Sequence, residues 1–100
     1  MDMDKVFGAL ADPTRRQILD ELADRNGQSL YELCARLIML RKVSMTRQAI
    51  SKHLEILENA LLVRIEWKGR QKLHYLNPEP IDELCGSWLK SLLKAGQHKG

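Results

Sequence analysis

One hundred residues with 44% apolar content and a formal charge of +3 make one domain, spanning 1–100, able to bury roughly 60 to 70% of its unfolded surface but not to hold two cores. No apolar run approaches ~18 residues and no charged-then-greasy stretch opens the sequence, so neither a membrane span nor a secretion signal is expected and the cytoplasm is the expected compartment. Cys34 and Cys85, far apart in the sequence, are expected as reduced core thiols rather than a disulfide framework.

Met3, Val6, Phe7 and Leu10 recur at helical spacing and predict a short first helix with one apolar side. Asp12-Pro13 then restarts the chain, Asp12 as N-cap and Pro13 where a missing N–H costs nothing. A second helix runs to about Arg25 with Ile18, Leu19, Leu22 and Ala23 inward, while Arg15 and Arg16 in its first turns are expected to pair with Asp20 and nearby acids. Asn26-Gly27 is a stop and a turn. Ser29-Leu30-Tyr31-Glu32 forms a capping box, so a third helix starts there with Leu30, Leu33, Cys34 and Leu37 inward. Ile38-Met39-Leu40 can extend it.

Ser44 to Leu62 reads as one amphipathic helix with two unlike faces. Ile50, Leu54, Leu57 and Leu61 fall on one stripe, with Ala49 and Ala60 at its border. The opposite face carries Arg47, Gln48, Ser51 and Lys52 in its first half and Glu55 and Glu58 in its second. A helix that presents its N-terminal half to a major groove needs cations and amides there and keeps carboxylates away from phosphate. Thr46 is placed to cap it, and the free N–H groups of the first turn suit a nearby phosphate. The same pattern also describes a surface helix supported by a Lys52–Glu55 pair.

Val63, Ile65 and Trp67 alternate with Arg64, Glu66 and Lys68, Gly69 turns the chain, and Gln71, Leu73 and Tyr75 alternate back with Lys72, His74 and Leu76. This is a β-hairpin whose tip carries Lys68, Arg70 and Lys72. From Arg41 to Lys72 eight Lys or Arg face three Glu, a local +5, against −2 for the rest. A basic hairpin directly after a helix-turn-helix is positioned as a wing, along phosphates or in a minor groove. After Asn77-Pro78-Glu79-Pro80, a last helix from about 79 to 95 presents Ile81, Leu84, Cys85, Trp88, Leu89, Leu92 and Leu93 as a stripe too wide for so small a core. With the first helix it is expected to be buried in a twofold interface formed by Met3, Val6, Phe7, Leu10, Ile81, Leu84, Cys85, Trp88, Leu89 and Leu92. Gly86 weakens this helix by about 1 kcal/mol relative to Ala, and the tail from Gly96 to Gly100 is expected to fray.

The strings F-G-A-L-A-D-P-T-R-R-Q-I-L-D-E-L at Phe7 to Leu22, M-T-R-Q-A-I-S-K-H-L-E-I-L-E at Met45 to Glu58 and H-Y-L-N-P at His74 to Pro78 resemble the ArsR-type (ArsR/SmtB-like) winged-helix transcriptional regulators. The resemblance spans most of the chain. It implies a homodimer that binds a palindromic operator through Thr46 to Ala60 and usually represses. Carried onto matching positions, it implies that Arg47, Gln48, Ser51, Lys52 and His53 face the groove and its phosphates, with Lys68 and Arg70 in the wing. Three departures stand out. About six extra residues lie between Leu37 and Thr46, which bears on the angle between the two helices. Leu61 stands where the family usually has Gly, so that helix end is expected to be capped differently. Metal sensors of the family often carry Cys-x-Cys in the third helix, whereas Cys34 is followed by Arg36, and the last helix brings Asp82, Glu83 and Cys85 without His; no metal is expected.

The expected fold is therefore mainly α with a small β-hairpin, α-α-α-α-β-β-α, its helix-turn-helix at about 29–62 and its wing at about 63–76. The expected function is a sequence-specific DNA-binding regulator, a repressor acting as a dimer on double-stranded DNA. No membrane partner and no cofactor are expected. No catalytic motif is present, so no enzymatic activity is expected. Two alternatives stay open: a winged helix that binds an acidic protein, and a repressor whose metal or thiol inducer acts through Cys34 and Cys85.

Overall fold

The computed structural model describes residues 1–97. The helices are α1 (Met3–Leu10), α2 (Pro13–Asp24), α3 (Leu30–Arg41), α4 (Arg47–Asn59), α5 (Glu79–Gly86) and α6 (Trp88–Gln97), with strands β1 (Val63–Lys68) and β2 (Gln71–Leu76) between α4 and α5. Side-chain caps mark the helix starts that the sequence announces. Asp12 accepts from the Arg15 N–H at 3.0 Å ahead of Pro13, and Ser29 and Glu32 close the capping box of α3.

Ile18 and Leu22 of α2, Leu33 and Leu37 of α3, Ile50, Leu54 and Leu57 of α4, and Val6 of α1 form the core, sealed by Leu62 and Val63. α4 packs against α1, α2, α3 and β1, so Ile50, Leu54 and Leu57 of its apolar stripe are taken up within the domain. Ala23, expected inward, is exposed, and Glu21 lies inside in its place. The Glu21 carboxylate accepts from the Arg36 Nε, from the Arg41 Nε at 3.1 Å and from the Gln28 Nε2 at 2.9 Å. Burial pushes its pKa up, but these three donors outweigh burial and hold it below the usual carboxylate range. The cluster ties α2 to the far half of α3.

β1 and β2 pair antiparallel, Val63 opposite Leu76 and Ile65 opposite His74. Gly69 turns the hairpin at φ +64, a conformation that only glycine adopts without steric cost. The α2–α3 loop adds a bridge: Gln28 and His74 exchange backbone hydrogen bonds of 3.1 and 2.8 Å, and the His74 Nδ1 donates to the Gln28 carbonyl at 2.9 Å. His74 is buried, and desolvation lowers its pKa. Gly27 permits this approach, since a Cβ there would stand 2.8 Å from the Tyr75 ring.

The extra residues before α4 form a further turn of α3, through Ile38, Met39 and Leu40, and a short link. Lys42 ends the helix in the left-handed region at φ +59, and the Val43 N–H returns to the Leu37 carbonyl at 3.0 Å. Val43 is buried and Met45 packs against the core, which anchors the link at two points. At the other end of α4 the expectation of a different cap is corrected. Leu61 itself takes φ +63, its N–H bonds to the Glu58 carbonyl at 2.9 Å and the Leu62 N–H to the Leu57 carbonyl at 2.9 Å. This is a Schellman ending with leucine in the glycine position. Leu61 consequently leaves the core stripe and is exposed.

The single last helix is also corrected. Ser87 departs from helical geometry at φ −121, ψ −101 and divides the segment into α5 and α6. Gly86 lowers the cost of leaving the helix, and the Ser87 hydroxyl takes over the Glu83 carbonyl at 2.7 Å. α6 continues through Gly96 to Gln97; the rest of the expected frayed tail, 98–100, lies outside the described residues.

Candidate nucleic-acid interface

Thr46 adopts an extended conformation and its hydroxyl accepts from the Ala49 N–H at 3.1 Å. The other first-turn N–H groups of α4 stay free toward an exposed end, the arrangement that attracts an anion. Arg47, Gln48, Ser51 and Lys52 are all exposed, while Ile50 and Leu54 on the reverse side are buried. Carboxylates enter only further along, with Glu55 exposed and Glu58 half-buried. The front of the helix thus offers two cations, an amide and a hydroxyl on one solvent-facing surface.

The wing adds Lys68 and Arg70, both exposed at the hairpin tip. Lys72 is placed differently from the tip position expected of it: its amine reaches back to 3.8 Å from the Glu58 carboxylate and spans the cleft between β2 and α4. Arg64 pairs with Glu66 and lies 4.8 Å above the Tyr75 ring, and Arg41 pairs with Glu21 and Asp24. Of the eight cations between 41 and 72, five have no carboxylate partner among the described residues: Lys42, Arg47, Lys52, Lys68 and Arg70. Lys42 was not singled out from the sequence; its position in a link of unknown shape concealed its exposure.

His53 does not join the exposed set. Its side chain is 17% exposed, and its Nδ1 accepts from the Arg15 Nη1 at 3.1 Å, with the Asp12 carboxylate 3.9 Å away. The pairing expected of Arg15 and Arg16 with Asp20 is also corrected. Arg15 donates through Nε to the Ala9 carbonyl at 2.8 Å and through Nη2 to the Gly8 carbonyl at 3.0 Å, and Arg16 donates to the Leu10 carbonyl at 2.7 Å. Both arginines therefore close the orphan carbonyls at the end of α1, where positive charge also suits the helix dipole. The Asp12 carboxyl sits below its ordinary range, chiefly because it accepts from the Arg15 backbone N–H; partial burial opposes this, and the Arg15 charge and the Thr14 backbone N–H reinforce it.

Cys34 is buried as expected, and burial pushes its thiol up although the Arg47 charge opposes the shift. Cys85, expected in the core, is exposed instead. No group of three or more His, Cys, Asp or Glu among the described residues converges on a common point that could hold a metal ion. The residues expected at a twofold interface divide into two sets. Val6 and Leu84 belong to the chain's own core, and Met3, Phe7, Leu10 and Ile81 pack partly against it. Cys85 of α5 and Trp88, Leu89 and Leu92 of α6 are exposed, and the Trp88 ring meets Phe7 edge-on at 5.7 Å.

A helical body in which α3 and α4 are joined by a turn, α4 being polar and basic at its front, with a β-hairpin beside it, defines a winged helix-turn-helix protein. Residues 10–66 match the family model described as "Helix-turn-helix domain". The chain is 49% identical over 87 residues to the uncharacterized HTH-type transcriptional regulator YuzN of Bacillus subtilis (strain 168), covering 87% of this chain and 95% of that one. It is 29% identical over 98 residues to the transcriptional repressor SdpR of the same organism, covering 96% and 98%. The solved structure of an ArsR-like transcriptional regulator from Rhodococcus sp. RHA1 superposes with a TM-score of 0.76 at 32% identity, over 95% of this chain and 77% of that one. The chain belongs to the ArsR family of winged helix-turn-helix transcriptional regulators, a family of regulators and not of enzymes. No helix among the described residues is long and apolar enough to cross a membrane.

Proposed function

We propose that this regulator is a repressor that binds a palindromic operator as a homodimer, the front of α4 entering the major groove of each half-site. The observation that carries the reading is the exposure of Arg47, Gln48, Ser51 and Lys52 together on a helix whose opposite side is locked into the core. Arg47 and Gln48 read base edges, Arg suiting guanine O6 and N7 and Gln suiting adenine N6 and N7. Thr46, Lys52, Lys68 and Arg70 supply phosphate contacts, and Lys72 holds the wing to α4 through Glu58. The 29%-identical relative that is named a repressor supports the sign of regulation.

Two observations support the homodimer. α6 is ten residues long and buries none of them, and so short an isolated helix is marginal in water without tertiary packing. The radius of gyration is 15.4 Å, larger than the ~13 Å of a compact 100-residue domain. Both fit a helix that projects to be covered by its counterpart on a second chain, with Phe7 beside Trp88 in the contact.

Binding of a duplex selected from a random pool tests the assignment. Gln48→Ala relaxes discrimination at one position by roughly 1 to 3 kcal/mol, whereas Lys68→Ala weakens selected and random duplexes alike and flattens the salt dependence. Identical behaviour of the two variants on both duplexes overturns the assigned roles. Selection of no motif, with retained binding to an acidic polypeptide, favours a protein-binding winged helix instead.

A further inference from the structure

Tyr31 has no part in the core or in the roles assigned above. It is the second residue of α3 and is 71% exposed, so burial contributes little to its presence. Its ring faces Arg47, the first residue of α4, whose Cζ lies 5.8 Å from the ring centroid. Cys34, one helical turn further along α3, feels the positive charge of the same guanidinium. Arg47 therefore lies across one face of α3, at the end of the recognition surface.

We propose that Tyr31 is a positioning residue that sets the Arg47 guanidinium for base reading, so that discrimination at one base pair depends on an aromatic ring at position 31. The inference rests on the reading of α4 as the groove-facing helix. A free arginine samples many rotamers, and freezing them on binding weakens whatever contact it makes. A guanidinium within about 6 Å of an aromatic face is attracted by the ring quadrupole, an attraction that uses none of its N–H donors. The planar fork of N–H donors therefore stays available for a bidentate contact to guanine. Tyr31 thus restricts Arg47 without consuming its donors.

The test compares wild type, Tyr31→Phe, Tyr31→Leu, Arg47→Ala and the Tyr31→Leu/Arg47→Ala double variant. Each is measured on the selected duplex, on its single-base-pair variants and on random DNA. Because Tyr31 is a surface residue, the single variants keep the fold, and their unfolding midpoints report this directly. Tyr31→Phe behaves as wild type. Tyr31→Leu loses roughly two- to fivefold discrimination at one base pair only, with affinity for random DNA and salt slope unchanged, and the double variant equals Arg47→Ala. Three results overturn the proposal: Phe losing as much as Leu, which makes the hydroxyl a phosphate contact; Leu tightening binding, which makes the ring a dock that withholds Arg47; or the two losses multiplying, which makes the residues independent. An Arg47→Ala protein with intact base preference removes the reading role and its positioner together. Failure of wild type to select any motif overturns the proposed function itself.

Discussion

α4 and α6 share an amphipathic pattern and differ in what stands behind it. α4 lays Ile50, Leu54 and Leu57 against four neighbouring elements and leaves its polar side in solvent. α6 leaves Leu92 at 49% and Leu93 at 61% exposure, with no residue of the helix buried. What α4 offers outward is therefore charge and amides, which suit a nucleic-acid groove. What α6 offers is the apolar stripe itself, which suits another copy of the same stripe. One periodicity thus serves two kinds of surface, and the surrounding elements decide which.

The largest expected effect breaks this contrast if it is false. Leu57→Ala destabilises the folded chain by about 2 to 5 kcal/mol in denaturant unfolding, through lost transfer energy and a residual cavity. Leu92→Ala changes the unfolding of dilute protein by less than ~0.5 kcal/mol but weakens self-association measured by sedimentation. Equal destabilisation by both substitutions would mean that α6 packs on its own chain.

Glu21→Ala sharpens the contrast from the buried side. It leaves Arg36 without its carboxylate and Arg41 with Asp24 alone, and costs about 2 to 3 kcal/mol, below the full cost of an unpaired buried charge because Arg36 stays partly in water and Arg41 keeps a partner. Denaturant unfolding checks this. A smaller loss follows from acid. His74 is held neutral in the fold, so stability is full above about pH 6.5, the ordinary histidine value, and erodes as pH falls from there through the lower folded pKa. A pH series of unfolding midpoints shows that slope, and His74→Gln removes it. One further effect has the opposite sign: Leu61→Gly relieves a left-handed leucine and stabilises by about 1 kcal/mol, read as a rise in Tm.

The order of elements and the exposed front of α4 were legible because local rules determine them. The Ser29–Glu32 capping box, the Thr46 cap and the alternation from Val63 to Leu76 each act within a few residues. Glu21 was missed because an acid is ordinarily assigned outward, although it stands three residues after Ile18 on the inward stripe; its partners Arg36, Gln28 and Arg41 come from other elements. His74 was assigned to a strand without its burial, yet it shares a face with Ile65 directly across the hairpin. His53 could not be placed because the group that holds it, Arg15, is 38 residues away. The break at Ser87 was hidden by an apolar spacing that runs on unchanged from Ile81 to Leu93.

The most direct test of the central claim is the symmetry of the DNA that the full chain selects from a random pool. A dimer reading through α4 enriches two inverted half-sites whose centres lie about 34 to 36 Å apart, or a close multiple of that spacing. Enrichment of a single unrepeated half-site contradicts the paired arrangement, and enrichment of no motif contradicts the reading helix itself.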